Sequence, residues 1–258
     1  MYINTFEAIA LSIGPVQVRW YGMLFALGIF LNYWLLAWIF KKEGISQEKL
    51  DSVVMYLFIG LVVGARLGEV LFYNPGFYFS NPWEILKIWK GGLASHGATI
   101  GLFVAFWIWA KKYKVRFLKY ADLLALGVMV TGAFVRIGNF FNSEIVGIPT
   151  GSDYGVVFAR LGEDFARHPV QLYEAGLQFG VFAILMAFYL KGKKKRPGFY
   201  LFTLLLLYFG GRIALEYFKA RQVIPEELPF TMGQLLSVVP VLAALFYFVF
   251  YRPRTNNL

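Results

Sequence analysis

Long blocks of apolar residues dominate this sequence and limit the folds that it can adopt. A helix needs about 20 apolar residues to cross the roughly 30 Å hydrocarbon core of a bilayer, and each block is close to that length. The pattern predicts an all-α integral membrane protein with seven transmembrane helices, forming a single polytopic domain over residues 1–258. The predicted spans are about 19–40, 51–73, 93–110, 121–141, 171–190, 199–217 and 232–251.

The composition supports the same class. Hydrophobic residues make up 59% of the chain, compared with roughly 45–50% in an ordinary soluble domain. A water-soluble globular protein is therefore excluded. Only Arg19 precedes the first span as a basic residue, and no small-residue cleavage site follows it, so we expect a retained helix and not a removed signal peptide.

Lysine and arginine residues divide unevenly between the two sides of the predicted bundle. One side carries fifteen of them and the other side seven. By the positive-inside rule, the N-terminus is outside, the C-terminus is cytoplasmic, and the outer loops are 74–92, 142–170 and 218–231. The net charge of +10 is then a topology signal, and we expect no nucleic-acid partner. The fifteen are Lys41, Lys42, Lys49, five from Lys111 to Lys119, five from Lys191 to Arg196, Arg252 and Arg254; the seven are Arg19, Lys87, Lys90, Arg160, Arg167, Lys219 and Arg221.

Three further arginines, Arg66, Arg136 and Arg212, lie within predicted spans. A charged side chain at such a position costs on the order of 2.5–3.5 kcal/mol, so it requires partners or water. All three fall near the outer ends of even-numbered spans. A planar guanidinium group matches a lipid phosphate well, and this match would explain the depth and the number of these residues.

Local spacing suggests partners for two of the arginines. Glu69 follows Arg66 by three residues and Glu216 follows Arg212 by four, so each pair lies on one helix face. Arg136 has no carboxylate at such a spacing, and we expect it to be the arginine with an unsatisfied charge. The pair of Arg66 and Glu69 is open to a purely structural interpretation, in which it only fixes helix packing.

Other polar residues are predicted at the same outer depth: Tyr21, His96, Asn142 and Glu144. Their convergence indicates a water-accessible cavity near the outer headgroups. Tyr21 is also typical of the aromatic belt at a membrane interface, and a lone interfacial histidine such as His96 is often structural. The chain has no cysteine and only two histidines, so we predict no metal site, and no cofactor signature is present.

Six motifs resemble those of the bacterial prolipoprotein diacylglyceryl transferases, in the same order along the chain. The chain departs from the family pattern at Val135 and Ala98, where glycine is usual. The motifs are RWYGML (19–24), ARLGEVLFY (65–73), GGLASHGATIG (91–101), RIGNFFNSEIVG (136–147), HPVQLYEA (168–175) and GGRIALEYF (210–218).

The resemblance implies an inner-membrane enzyme whose active site faces the outer leaflet. Such an enzyme transfers the diacylglyceryl group of phosphatidylglycerol to the lipobox cysteine of a prolipoprotein signal peptide, which yields a thioether and glycerol phosphate. By motif, the residues implied as catalytic are Tyr21, His96, Arg136, Glu144 and Arg212. Those assigned to substrate binding are Arg66, Glu69, Arg136, Asn139, Asn142, Gly147 and Glu216.

This chemistry needs help in deprotonating a thiol whose pKa is near ~8.5, and it needs cations to stabilise a departing phosphate. His96 can act as the base, with Arg136 as the main phosphate ligand. Alternatively, the field of the arginines lowers the thiol pKa without a dedicated base. Two rival functions remain, an anion or lipid transporter and a structural scaffold; the apolar inner halves of the spans argue against the transporter.

Overall fold

The computed structural model describes residues 2–14, 16–193, 195–220 and 230–251. Some sequence predictions therefore lie outside the described residues. These are the basic residues Lys194, Arg221, Arg252 and Arg254 and most of the predicted outer loop 218–231.

The described chain is mostly helical. Eight helices are present: α1 (Trp20–Lys42), α2 (Gln47–Gly68), α3 (Pro75–Ser80), α4 (Ser95–Lys112), α5 (Phe117–Phe141), α6 (Val170–Leu190), α7 (Phe199–Leu215) and α8 (Met232–Phe250). A π-helical turn, Glu69–Tyr73, extends α2, and short 3₁₀ turns cover Pro82–Leu86, Ile88–Lys90 and Glu216–Phe218.

Six helical segments within the described residues are long and apolar enough to cross a membrane, judged by length and composition. They are Trp20–Lys42, Gln47–Tyr73, Phe117–Phe141, Val170–Leu190, Phe199–Phe218 and Met232–Phe250. The predicted third span, 93–110, corresponds to α4, which is a helix of 18 residues but is not among the six. The membrane-protein class is confirmed, while the count of seven stays a prediction.

Four short strands were not predicted. β1 (Tyr2–Asn4) pairs in parallel with β4 (Val156–Phe158), and β2 (Ile9–Ile13) pairs in antiparallel fashion with β3 (Val16–Arg19). The buried Asn4 side chain donates a hydrogen bond to the carbonyl of Phe140 at 3.0 Å. Through this contact the N-terminal strand is attached to the C-terminal end of α5.

The chain divides into two compact units, Met1–Leu36 with Ala121–Leu258, and Ala37–Tyr120. In the second unit, α2 and α4 pack backbone against backbone through glycines. A Cβ atom added to Gly64 would lie 2.7 Å from Gly101 Cα, and one added to Gly68 would lie 2.8 Å from Gly97 Cα. Such closeness is typical of small-residue packing between membrane helices.

In the first unit, a buried carboxylate joins α5 to the beginning of α7. Asp122 accepts hydrogen bonds from the backbone N–H groups of Gly198 at 2.7 Å and Leu201 at 2.9 Å. The first turn of a helix has no intrahelical acceptor for its N–H groups, and a negative charge there also interacts favourably with the helix dipole. Asp122 therefore caps α7 from a neighbouring helix.

Candidate active site

Arg136, in the last turns of α5, forms an ion pair with Glu174 of α6. The Arg136 Nε and Glu174 Oε2 atoms are 2.8 Å apart, and the two side chains are 16% and 3% exposed. Glu174 Oε2 has no hydrogen-bond partner. The contact with Arg136 Nε is therefore an ion pair whose angles do not meet the geometry of a hydrogen bond. The expectation that Arg136 lacks a counter-charge is therefore wrong, because the partner comes from another helix.

A chain of polar contacts leads from Arg136 to Glu144. Asn139 Oδ1 lies 3.4 Å from Arg136 Nη1, and its Nδ2 donates to Glu144 Oε2 at 3.3 Å. Asn142 donates to the other oxygen of Glu144 at 3.2 Å. Two residues of one predicted motif thus orient a single carboxylate. Among the described residues, the structure gives Nη2 of Arg136 no partner.

The backbone on either side of Glu144 is strained. Ser143 and Ile145 have φ angles of +55° and +56°, in the left-handed region that costs a non-glycine residue on the order of 1–3 kcal/mol. Two hydrogen bonds hold Glu144 between them: its N–H donates to Asn139 O at 2.9 Å, and its carbonyl accepts from Gln171 at 2.8 Å. Strain maintained in this way is typical of functional positions.

Glu144 opens onto a cavity of about 620 Å³. Tyr21 and Asn142 also line it, so three predicted site residues meet there. Gly138 makes room for the aromatic ring, because a Cβ atom at this position would lie 3.0 Å from Tyr21 Cδ2. The other lining residues are Gln17, Val18, Arg19, Gly22 and Met23.

Lys219 lies between two buried carboxylates. Its Nζ is 3.4 Å from Glu174 Oε1 and 3.9 Å from Glu216 Oε2, and its side chain is 10% exposed. The carboxylate of Glu216 in turn packs directly against Gly233, where any Cβ atom would overlap it. Gly233 lies in the first turn of α8, whose positive dipole end favours a nearby anion.

Arg212 is the arginine with an unsatisfied group. Its Nε is buried without a hydrogen-bond partner. The structure gives it no ion pair with Glu216 among the described residues, although the spacing predicted one. Here the local rule fails because Glu216 lies in the 3₁₀ turn after α7 and contacts Gly233 and Lys219 instead.

Gly147 lies where three chain segments meet. It donates a backbone hydrogen bond to His168 O at 3.1 Å, and a Cβ atom on it would lie 2.7 Å from Phe218 O. Its carbonyl accepts from Arg167 Nη1 at 3.0 Å. Arg167 also pairs with Glu163 at 2.6 Å, and the hydrogen bonds that it donates to this carboxylate raise the pKa of Arg167 above its ordinary value. The requirement for glycine at this position is therefore steric.

Arg66, in the second unit, is 5% exposed, and carbonyl groups occupy its donors. Nε donates to Ile85 O at 2.8 Å, and Nη1 donates to Gly91 O at 2.7 Å and Gly92 O at 2.9 Å. Nη2 contacts the carbonyls of Glu84 and Lys87. These five contacts account for all five N–H groups of a guanidinium, and they attach the segment 74–92 to α2.

Glu69 is not the partner of Arg66. It accepts a hydrogen bond from Asn74 at 2.6 Å, and the structure gives no ion pair between Glu69 and Arg66, both of which are described. The spacing of three residues therefore predicted the wrong contact. Arg66 is satisfied by backbone carbonyls, which carry no signal in the sequence.

His96 lies in the first turn of α4, also in the second unit, and its side chain is exposed. Within the part of the chain that the structure describes, no hydrogen-bond partner is given for its ring. A base that is to accept a proton from a substrate must have a free ring nitrogen, and His96 meets this condition.

Two charged residues of the cluster, Glu174 and Lys219, were not predicted as site residues. Glu174 lies within the quoted motif HPVQLYEA, but nothing local assigns it to Arg136. Lys219 was counted as a topology charge. A search for every carboxylate within the predicted spans, whatever its spacing from an arginine, would have identified Glu174.

Comparison with known proteins gives one consistent result. The family model for prolipoprotein diacylglyceryl transferase matches residues 8–250. Three relatives carry the name phosphatidylglycerol–prolipoprotein diacylglyceryl transferase. The one from Tolumonas auensis is 45% identical over 93% of each chain. That from Chloroherpeton thalassium is 39% identical over 90% of this chain and 87% of its own. That from Ehrlichia ruminantium strain Gardel is 38% identical over 93% and 94%.

Proposed function

The chain belongs to the prolipoprotein diacylglyceryl transferase family, and on that premise we propose how its residues divide the reaction. It is a transferase that moves a diacylglyceryl group from phosphatidylglycerol to a prolipoprotein. In our proposal the acceptor is the thiol of a lipobox cysteine in the signal peptide. The sulfur forms a bond to the glyceryl carbon, the bond from that carbon to the phosphate oxygen breaks, and glycerol phosphate leaves with the electron pair.

Arg136 is the main phosphate ligand in this proposal. The observation that carries it is the arrangement around its guanidinium group: Nε lies against Glu174 and Nη1 against Asn139, while no hydrogen bond of Nη2 is given among the described residues. A fixed guanidinium with a free edge can bind a phosphate oxygen and stabilise the charge that develops as the leaving group departs.

Arg212 is the second cation for the phosphate. Its buried Nε has no hydrogen-bond partner, which is costly at this depth unless a ligand supplies an acceptor. Glu216 and Glu174, joined through Lys219, balance the positive charge of the cluster. We assign Arg212 to the leaving group and Glu216 to positioning.

Glu144, Asn142 and Tyr21 form the polar wall of the substrate cavity, and Asn139 orients Glu144 by a hydrogen bond. Polar groups at this wall can hydrogen-bond the glycerol hydroxyls of a phosphatidylglycerol headgroup. Gly147 holds the segment after Glu144 against His168 and Phe218. Arg66 and Glu69 were predicted to bind substrate. Because the N–H donors of Arg66 are occupied by carbonyls, we assign Arg66 to holding the segment 74–92.

His96 is the candidate base for the thiol. Its ring has no hydrogen-bond partner among the described residues, and a neutral imidazole nitrogen can accept the proton of a thiol. The alternative is that the arginines lower the thiol pKa on their own. Replacing His96 with Gln separates the two. If His96 is the base, the Gln variant loses turnover and the acidic limb of the pH profile. If the arginines act alone, the variant keeps its turnover.

The membrane arrangement follows from the same function. We propose that α4 crosses the membrane as a seventh span, with the N-terminus outside and the C-terminus in the cytoplasm of a bacterial cell. The active site then faces the outer leaflet of the inner membrane. The asymmetry of lysine and arginine supports this orientation.

The direct test uses the purified full chain, phosphatidylglycerol and a lipobox peptide. We expect a diacylglyceryl mass increment on the peptide cysteine, with release of glycerol phosphate in equal amount. A serine in place of the substrate cysteine is the matched control and should give no increment. Lipid transport without the increment would instead support the transporter, and binding alone would support the scaffold.

A further inference from the structure

A second polar level lies one helical turn deeper than Arg136, Glu174 and Arg212, which are called the arginine cluster below. Gly132, Gln178 and Tyr208 precede or follow Arg136, Glu174 and Arg212 by four residues on α5, α6 and α7 respectively. Residues four apart share a helix face and differ in height by about 6 Å. All three deeper residues are therefore on the faces that carry the cluster.

Gln178 is the centre of this level. It is 3% exposed, and its amide lies against Gly132, where a Cβ atom would be 3.0 Å from Gln178 Cδ and closer still to Oε1. The Nε2 atom lies 3.5 Å from the hydroxyl oxygen of Tyr208 and donates to it. The glycine thus admits the amide and directs its nitrogen toward α7.

Two donors at this level are unused. Within the described residues, the structure gives no acceptor to the second amide hydrogen of Gln178 or to the hydroxyl hydrogen of Tyr208. The Oε1 atom of Gln178 is also buried without a partner. A polar group that is buried in hydrocarbon without a hydrogen-bond partner is costly, so a substrate group that supplies the missing acceptor would bind favourably.

We propose that Gln178 and Tyr208 bind an ester carbonyl of the lipid substrate. The proposal rests on the proposed function, in which the phosphate lies against Arg136 and Arg212. Below its phosphate, a diacyl phospholipid has only ester groups that accept hydrogen bonds. The two unused donors lie one turn below the phosphate ligands, and they match such an acceptor. The pair therefore distinguishes diacyl lipids from dialkyl ether lipids, which lack the carbonyl oxygen.

The experiment compares two lipid donors, diacyl phosphatidylglycerol and its diether analogue, with the full-length enzyme in nanodiscs. The variants are Gln178→Leu and Tyr208→Phe. Thr203→Val on α7 is the control, because Thr203 donates only to Phe199 O of its own helix. The readout is kcat/KM for transfer to a lipobox peptide with each donor.

We expect the wild type to prefer the diester by about three- to tenfold, the range that one or two such hydrogen bonds give. In Tyr208→Phe and Gln178→Leu, the diester should fall to the level of the diether, so the ratio approaches one; Thr203→Val should keep the wild-type ratio. If the pair of Gln178 and Tyr208 has only a structural role, the variants lower kcat/KM for both lipids together and leave the ratio unchanged. That outcome overturns the proposal.

The proposal is also overturned if the wild type does not discriminate between the two donors. Failure of the proposed function looks different, because the wild type then transfers nothing from either lipid. If Gln178→Leu does not fold, the smaller change Tyr208→Phe decides, since it removes a single oxygen and keeps the ring.

Discussion

Two arginines within apolar spans and of similar local sequence have opposite surroundings. Arg66, in ARLGEV, gives its donors to five backbone carbonyls of the segment 74–92. Arg136, in VRIGNF, is held at Nε and Nη1 by side chains, and Nη2 has no partner among the described residues. The first arrangement leaves nothing for a ligand, whereas the second aims a free edge. A guanidinium within an apolar span therefore indicates a ligand site only when some of its N–H donors have no partner within the protein.

The packing around the two arginines differs in the same sense. The unit of Arg66 is built on glycine contacts between α2 and α4, with no charged pair in that seam. The unit of Arg136 places two carboxylates and a lysine in one cluster. Close backbone packing between two helices favours rigidity, whereas charged side chains in a cluster can change partners when an anion binds.

The largest expected effect is on Arg136. Arg136→Lys keeps the charge but loses the planar fork, and we expect transfer to fall roughly 10²- to 10³-fold, the usual consequence of losing a group that stabilises the leaving charge. Arg66→Lys should retain transfer to within about tenfold once the amount of folded enzyme is equalised. The measurement is kcat/KM with phosphatidylglycerol. Equal losses in two well-folded variants would break the comparison.

The next effect concerns the glycine seam. Gly64→Ala puts a methyl group 2.7 Å from the Gly101 backbone, which only helix separation can relieve, and overpacking of this kind costs about 1–3 kcal/mol. Gly180→Ala on α6 is the matched control, because nothing lies within 4 Å of its added Cβ. Thermal unfolding in detergent should show a lower Tm for Gly64→Ala alone. Equal Tm values would mean that the seam adds nothing.

A smaller effect is expected for Glu174→Gln. The amide keeps the shape but removes the charge that faces Arg136 and Lys219. Arg136 then lacks its counter-charge, whereas Lys219 keeps Glu216. The anionic lipid should therefore bind at least as tightly, while kcat falls about tenfold because Arg136 loses its orientation. Separate values of KM and kcat test this. A rise in KM with unchanged kcat would contradict the positioning role.

The smallest effect lies in the segment that Arg66 holds. Hydrogen bonds from Lys87 and from Lys90 lower the pKa of Glu84 below its ordinary value. A lowered pKa stabilises the folded form above the ordinary carboxyl range, and this contribution disappears as the pH falls through the lowered value. In Lys87→Met with Lys90→Met, the pKa of Glu84 should rise toward its ordinary value, because the hydrogen bonds that lower it are gone. Titration by NMR measures it, and an unchanged pKa would show that the lysines do not act.

The sequence predicted the helices well and the polar partners poorly. The predicted spans 19–40 and 199–217 match helical segments Trp20–Lys42 and Phe199–Phe218 closely, because hydrophobic length determines where a chain crosses a bilayer. The ion pair of Arg136 depends instead on which helices are neighbours. The pairing of β1 with β4 joins residues about 150 positions apart, and no local pattern encodes it.

The site residues divide in the same manner. Asn139, Asn142 and Glu144 meet as one motif predicted, because they are close in the chain. Glu216 has contacts that spacing did not predict, since its partners Gly233 and Lys219 depend on where α8 begins and on how the chain leaves α7. For Arg66 the partners are main-chain oxygens, which every sequence possesses.

The cap that Asp122 forms on α7 has a mechanical consequence. It fastens α5 to α7 at one end, so these helices can separate most readily at the other end, where Arg136 and Arg212 lie. Arg136 is about 21 Å along α5 from Asp122. At that lever arm, a tilt of about 3° about the fastened end displaces the guanidinium by about 1 Å. A small tilt about Asp122 would thus change the distance between Arg136 and a bound phosphate by about 1 Å without bending either helix.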